Sequence, residues 1–411
     1  MTPLQVLRRP DFLRLWACGV VLGTMRWLEV LVVGLYTLEH SGSALLVALM
    51  LFARTVPMVA LGAVMGALAD RIERRRLLAA GMLMAGLTAG VLSALSLAGA
   101  ISLWHVAAGA LVNGIVWTME HPVRRALLGD AVSTDAMGAA VSLDSATFNG
   151  TRMLGPLAGG ALYASLGLSG AYAAGVVAYA LAFVLVWGVS PPPARRVGAA
   201  GDREGFVRSV GAGLRYVASQ RVLAAVMVVT VIANLFGFSY VAMVPVVGVG
   251  TLGLDAPGIG LLMSMEGAGA TLAALTLAFV VRPAAYARVF STGALLFLAM
   301  VLCFSRADSV LPAMAALFVA GLGLAGFGAM QSTILLSASA VAMRSRVMGV
   351  LVVCIGAGPL GVLLVGWLAE RMGATAALAL TAGTGLALMI ALCAWRPQLL
   401  HRYALQSVPS C

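Results

Sequence analysis

Apolar runs of roughly 20 residues, the length that crosses about 30 Å of hydrocarbon, recur along the whole chain. Twelve can be placed, near 12–38, 43–67, 77–98, 101–119, 136–162, 168–188, 222–247, 257–281, 285–304, 310–336, 347–369 and 373–395. The polar breaks between them are short, except for one at 189–221 that opens with SPPPARR and passes through GAAGDREG. That break sorts the spans into two sets of six. The expected architecture is therefore an all-α integral membrane fold, with twelve transmembrane helices in two pseudo-symmetric six-helix bundles. The expected domains are a bundle over 1–188, a cytoplasmic linker over 189–221, a second bundle over 222–397 and a tail over 398–411. Within the linker, Phe206, Val210, Leu214 and Val217 recur at helical spacing, with Arg208, Arg215 and Ser219 off the stripe. The spacing predicts a short amphipathic helix lying on the inner membrane surface.

Composition agrees with the pattern. The chain of 411 residues is 62% hydrophobic and only 10% charged, with a mean hydropathy of +1.02. A water-soluble domain needs more polar surface than this. The net charge is +11, carried entirely by arginine. Its placement follows topology rather than a nucleic-acid surface. Arg8, Arg9 and Arg14 flank the first span, and Arg71, Arg74, Arg75 and Arg76 follow the second. Arg124 and Arg125 follow the fourth, and the linker holds Arg195, Arg196, Arg203, Arg208, Arg215 and Arg221. Arg282, Arg288, Arg344, Arg346, Arg396 and Arg402 continue the series, whereas the opposite side holds only Arg306 and Arg371. Arginine accumulates on the cytoplasmic side, so both termini are expected there, in a cell (inner) membrane. The opening MTPLQVLRRPDFLRLW lacks a small-residue cleavage site and reads as the approach to a first span, not a removed signal. The five cysteines are scattered, with no metal-like spacing, so no metal site or cofactor is expected.

The break between spans 2 and 3 reads GALADRIERRRLL. Gly66, Leu68, Asp70, Arg71, Arg74 and Arg75 fit the pattern G-x-L-x-D-R-x-G-R-R, with Glu73 replacing a small residue. The stretch resembles the signature loop of the major facilitator superfamily. In span 5, GPLAGG (Gly155, Pro156, Gly159 and Gly160) resembles the tail of that superfamily's exporter motif, although Gly150 sits one place off the upstream pattern. RRPDFLRLW and LEHSGSALLVAL are similar to the macrolide-efflux and siderophore-export type branch. The resemblance implies that Asp70 faces the start of span 11, near Val347 and Met348, where a helix N-terminus favours a carboxylate. It implies a gating latch, with Arg71, Arg74 and Arg75 meeting anionic headgroups or the acids near Glu120 and Asp130. Many proton-coupled exporters of the superfamily carry an Arg inside span 4; here span 4 has none until past its inner end. Two short internal matches suit a chain of related halves. A Met-Gly pair recurs at the entries to spans 5 and 11, and GALYASLG parallels GWLAERMG.

Six ionisable residues fall well inside spans: Arg26, Glu29, Arg54, Asp144, Arg152 and Glu266. Such residues are costly in lipid and mark partners or function. Arg26 and Glu29 share a helix face and are expected to pair, with Arg54 at similar depth on the other side of Glu29. Two readings stand at this point: a clamp between spans 1 and 2, or a site that couples protons or binds substrate. Asp144 and Arg152, about 12 Å apart along one helix by its rise, are too distant to pair. With Asn149 they form a polar stripe whose inner end, Asp144, is expected to be solvated. Glu266 is expected either to meet Arg152 or to stand as a second candidate for proton transfer. Asn113, Asn234 and Gln331 lie in spans that the resemblance makes cavity-lining, and would bind substrate or hydrogen-bond across helices. Trp27, Trp117, Phe148, Phe236, Phe238, Tyr240 and Phe327 are available as an apolar wall.

The functional expectation is a secondary transporter, not an enzyme. It would work by alternating access and export a small hydrophobic or amphipathic compound in exchange for protons. Uptake or facilitation of a metabolite is the alternative, ahead of a non-transporting sensor or scaffold. No nucleotide-binding loop or catalytic arrangement is present in the sequence. Expected partners are the small molecule, protons and membrane lipids, with no nucleic acid, around a monomer.

Overall fold

A computed structural model describes residues 3–190 and 206–395. Every regular element among the described residues is a helix. After a short α1 (Pro3–Leu7), α2 runs from Pro10 to Ser41. Pro10 opens it, its fixed φ suiting a first helical turn, and Gly42 closes it at φ 64°, donating its N–H to the Leu38 carbonyl. Then come α3 (Ala44–Arg71), α4 (Arg74–Leu97), α5 (Leu103–Asp130) and α6 (Met137–Trp187). The 51 residues of α6 are broken at Gly167, whose φ of 64° and ψ of −163° are not helical. The break falls between the stretches 136–162 and 168–188, where the hydrophobic pattern has its gap.

The second set begins with α7 (Phe206–Ser219) and α8 (Arg221–Ile232), which passes through a π-turn at Ala233–Gly237 into α9 (Tyr240–Gly250). It continues with α10 (Ala256–Val280), α11 (Tyr286–Phe304), α12 (Val310–Ala338), α13 (Arg344–Ile355), α14 (Ala357–Met372) and α15 (Ala374–Trp395). Ten of the described helical segments are long and apolar enough to cross a membrane. The linker stretch 191–205 and the tail from 396 lie outside the described residues.

The contacts divide the chain into two compact units, one of residues 1–201 with 254–264, the other of 202–253 with 265–411. In the first, α6 packs along α2 and α4, while α3 packs on α5. Phe12, Leu15, Cys18, Leu22 and Met25 form the buried stripe of α2, at the three- or four-residue spacing that keeps one face inward. Glu29 is the next position on that stripe and is equally buried. Gly114 fixes how closely α3 and α5 meet, because a Cβ there would collide with the Arg54 carbonyl.

In the second unit, α11 packs on α12 and α15, and α7 lies against α13. The helix predicted in the linker is present as α7, and one side of it packs on protein. Gly213 abuts the Arg346 backbone, the Tyr216 hydroxyl accepts from the Ala340 N–H at 3.2 Å, and Val217 is buried while Leu214 is exposed.

Gly114→Leu is expected to cost about 1–3 kcal/mol by overpacking and to lower the melting temperature of the purified protein. Gly138→Ala, at a helix position where a Cβ meets nothing, serves as the control and should leave it within about 0.5 kcal/mol of wild type.

Candidate functional site

The first unit buries a set of charges on α2, α3, α5 and α6. Glu29 is 2% exposed and accepts three hydrogen bonds. Arg54 on α3 donates at 2.8 Å, Asn113 on α5 at 3.0 Å and the Tyr179 hydroxyl on α6 at 2.9 Å. One acid and one base make this group neutral.

The expected Arg26–Glu29 pair is not what forms. Arg26 reaches α5 instead, where it meets Glu120 at 2.9 Å and lies over the Trp117 ring at 4.7 Å. Sharing a helix face permits an ion pair, but a partner on the neighbouring helix holds each charge as well and joins the two helices. Glu120 also takes Arg124 at 2.7 Å. Arg124 then bridges to Asp144 on α6 at 2.8 Å, and Arg125 meets the second Asp144 oxygen at 3.0 Å.

The result is a zigzag of ion pairs: Arg26, Glu120, Arg124, Asp144 and Arg125. Gly19 makes room for it on α2, since a Cβ there would collide with the Arg124 guanidinium.

Two sequence expectations are corrected by this network. Asp144 is buried and doubly paired, not solvated. The fourth apolar run does not end as a helix at 119, because α5 continues to Asp130 and carries Arg124 inside the bundle. Glu120 (expected only as an acid for the loop arginines), Arg124 and Tyr179 were missed as members of this buried network. The first two had a legible signal. Asn113, Trp117, Glu120 and Arg124 are spaced four, three and four apart, a single stripe of one helix. Pro122 lies inside α5 without ending it. Tyr179 gave no signal at all.

The other candidates divide as follows. Arg152 is buried on α6, with its guanidinium over the Trp27 ring at 4.6 Å. Asn149 donates to the Ser145 carbonyl of its own helix at 3.1 Å. Gly155, Gly159 and Gly160 all sit at close approaches: Gly155 against Trp27 and the Thr24 carbonyl, Gly159 against Leu28, and Gly160 against the Ala256 carbonyl. Pro156 is buried between them, and a Cβ on Gly260 would meet its carbonyl oxygen. The GPLAGG stretch is thus a surface of small residues for close packing.

Around the signature loop, Arg74 meets Asp130 at 2.8 Å, as expected. Arg75 donates to the Val189 carbonyl and stacks on Trp187, fastening the end of α6. Glu73 pairs with Arg76 at 2.7 Å. The side chains of Asp70 and Arg71, and Gly66, lie outside the described residues.

In the second unit, Asn234 in the π-turn donates to the Thr230 carbonyl at 2.9 Å, and Gln331 donates to the Thr230 hydroxyl at 2.6 Å. Both amides converge on one residue, but only the Gln331 bond joins two helices. Glu266 is buried on α10, where Gly321 of α12 packs against its carbonyl. No group of metal-ligating side chains occurs among the described residues.

The comparisons with known proteins agree with this frame. A family model described as transmembrane secretion effector matches residues 1–410. The Staphyloferrin A transporter of Staphylococcus aureus (strain NCTC 8325 / PS 47) is 27% identical over 160 residues, which is 39% of this chain and 40% of that protein. Among solved structures, the POT family transporter PepTSo superposes with a TM-score of 0.73 at 12% identity, covering 95% of this chain and 98% of its own. The nucleoside transporter NupG gives 0.65 at 14% identity, covering 93% and 98%. At these identities the structural likeness speaks for the fold alone.

Removing one partner of a buried ion pair costs about 3–5 kcal/mol, because the other is left uncompensated. Arg124→Gln removes one partner from each of Glu120 and Asp144, which keep Arg26 and Arg125, whereas Arg26→Gln removes a partner from Glu120 alone. Thermal melts of the purified protein should therefore rank Arg124→Gln as clearly the less stable variant. Equal losses would mean that the zigzag does not act as one network.

Proposed function

This chain belongs to the transmembrane secretion effector family of the major facilitator superfamily, and from that premise we propose a secondary transporter that exports a small amphipathic compound in exchange for protons. It crosses the membrane twelve times in two six-helix halves. The ten recognised segments reach that number when α6 is divided at Gly167 and the 28-residue α5 is included. The arginine distribution supports cytoplasmic termini in the inner membrane, and the protein works as a monomer. The signature loop, with Asp70 and Arg71 beside the Arg74 and Arg75 anchors, opens and closes the cytoplasmic side.

The observation that carries the coupling assignment is the Glu29 group. A buried ion pair is a poor source of stability compared with apolar packing, and intramembrane acids are expensive to keep. Glu29 nonetheless holds Arg54, Asn113 and Tyr179 from three helices. Protonating Glu29 would leave Arg54 as an uncompensated buried cation, so proton binding has to be accompanied by a rearrangement of α3 against α2. Coupling of that kind is what an exchanger requires: a ligand moves a conformational equilibrium only through its different affinity for the two states. Glu266, the buried acid of α10, is the second candidate.

The experiment is reconstitution into liposomes containing a pH-sensitive dye, with a panel of amphipathic compounds and an imposed gradient. Glu29→Gln is expected to abolish substrate-dependent proton movement, at least tenfold below wild type, while Glu266→Gln retains it. Loss in Glu266→Gln alone would move the coupling role to α10. Substrate movement with no proton flux in all three proteins would make this a facilitator and leave Glu29 a structural residue.

A further inference from the structure

Glycines bring α10 and α11 close onto α12 and leave a trough between them. A Cβ on Gly269 of α10 would meet the Phe318 carbonyl of α12, and one on Gly321 would meet the Glu266 carbonyl. Gly293 of α11 and Gly323 of α12 each stand against the other's carbonyl in the same way. Beneath the trough, Gly323 and Gly326 are buried and contribute no side chain. The result is a groove of about 690 Å³, walled by Leu272 and Thr276 of α10 and by Thr292 and Leu296 of α11. All of it belongs to the second unit.

The groove is apolar by construction. Its polar side chains are Thr276 and Thr292, and each gives its hydroxyl to a carbonyl one turn back, of Leu272 at 2.9 Å and of Arg288 at 2.7 Å. The rims are exposed hydrocarbon, with Leu272 at 51% and Leu296 at 36%. Along α11 the lining runs from Val289 to Ala299, about 15 Å by the helical rise. That is half of the roughly 30 Å hydrocarbon thickness, the depth of one leaflet. Charge marks the shallow end. The α10 wall ends at Leu277, and Arg282, five residues on, is exposed. Arg288 stands at the foot of the α11 wall and has an interaction of its own, so Arg282 is the residue available to a ligand head. Between Glu266 and Glu370 the one carboxylate in the sequence is Asp308, at the far end of α11. Helices α11 to α13 therefore supply no acid at the arginine end.

We propose that this groove binds one acyl chain of an anionic phospholipid from the cytoplasmic leaflet, with the phosphate-bearing head at Arg282. The chain fills the space that the glycines leave open. The net negative head meets the arginine at the membrane surface, where a basic residue attracts anionic lipid. This rests on the topology proposed above, which puts this end of the helices on the cytoplasmic side, and it makes a specific lipid part of the second unit.

The test is photo-crosslinking of the full chain in phosphatidylethanolamine nanodiscs. The probe is phosphatidylglycerol with a diazirine midway along one acyl chain, and labelled peptides are mapped by mass spectrometry. Labelling is expected to concentrate on 272–277 and 289–299, several-fold above the membrane-facing side of α4 around Leu87, which is 71% exposed. Unlabelled phosphatidylglycerol should displace it, and added phosphatidylethanolamine should not. Loss of one surface arginine's attraction weakens binding about fivefold, so Arg282→Gln should lower labelling by that factor, and Arg282→Lys, which keeps the charge, should restore most of it. Thr292→Phe places a ring in the groove and should lower labelling at least as much. Leu87→Phe, a similar change on α4, should leave it unaltered.

Labelling spread evenly over exposed helix faces, equal displacement by the two lipids, or labelling unchanged in Thr292→Phe would overturn the assignment. Displacement by the amphipathic compounds of the transport panel and not by phosphatidylglycerol would also overturn it, and give the groove to a transported solute. A dimer that Thr292→Phe disperses would overturn it in favour of a second copy of the chain. The labelling needs no gradient, so its expected pattern without proton flux would leave the lipid site standing and remove the exchange mechanism. Proton flux with evenly spread labelling would do the reverse.

Discussion

The structure of the first unit depends on one constraint: a charge taken out of water into an apolar helix bundle has to meet its opposite inside the bundle. Four helices answer that constraint with one repeated device, in which each acid is held from more than one direction. Glu29 is met from α3, α5 and α6, Glu120 from α2 and from one turn further along its own helix, and Asp144 by two consecutive arginines. These contacts run between helices that also pack closely through glycines, at Gly114, Gly19 and Gly155. Close approach and charge pairing therefore support each other. Without the glycines the side chains would not reach, and without the pairs the charges would not be tolerated.

A network of this kind is rigid in one arrangement but not confined to it. Each arginine has five donors in a planar fork, and Arg26 and Glu29 lie on successive turns of α2 while belonging to separate groups. A change of charge at Glu29 would alter what Arg54 requires of its surroundings, and α3 carries Arg54. The α3 helix also runs to Arg71, at the entrance to the signature loop. One helix thus carries both the partner of a buried acid and the start of the signature loop.

The coarse fold was readable because lipid imposes a simple rule on sequence: about 20 apolar residues, a polar break, and arginine on one side. The break of α6 at Gly167 followed from that pattern, and the helix α7 from the helical spacing of apolar positions between 206 and 217. The site was readable only in part. Arg26, Glu29, Arg54, Asp144 and Arg152 stood out because a charge in an apolar run is conspicuous. Their partners did not follow, since pairing across helices depends on which faces meet, and sequence spacing reports only neighbours within one helix. Hence the expected Arg26–Glu29 pair gave way to two inter-helix pairs. Glu120 and Arg124 were hidden for a different reason. They lie past the end of an apolar run and beyond the start of a polar one, yet α5 continues through Pro122 and carries both into the interior. Tyr179 was invisible, because one tyrosine in an apolar helix is unremarkable until an acid is found opposite it.

The central claim is that Glu29 exchanges a proton within this network. Infrared difference spectroscopy of the purified protein across an acid titration tests it most directly, because it needs no known substrate. The account predicts that, of the protonated-carboxyl absorption that grows with acidification in wild type, one component is missing in Glu29→Gln. A band that persists unchanged in Glu29→Gln would contradict it, and would leave Glu29 as a fixed counter-ion to Arg54.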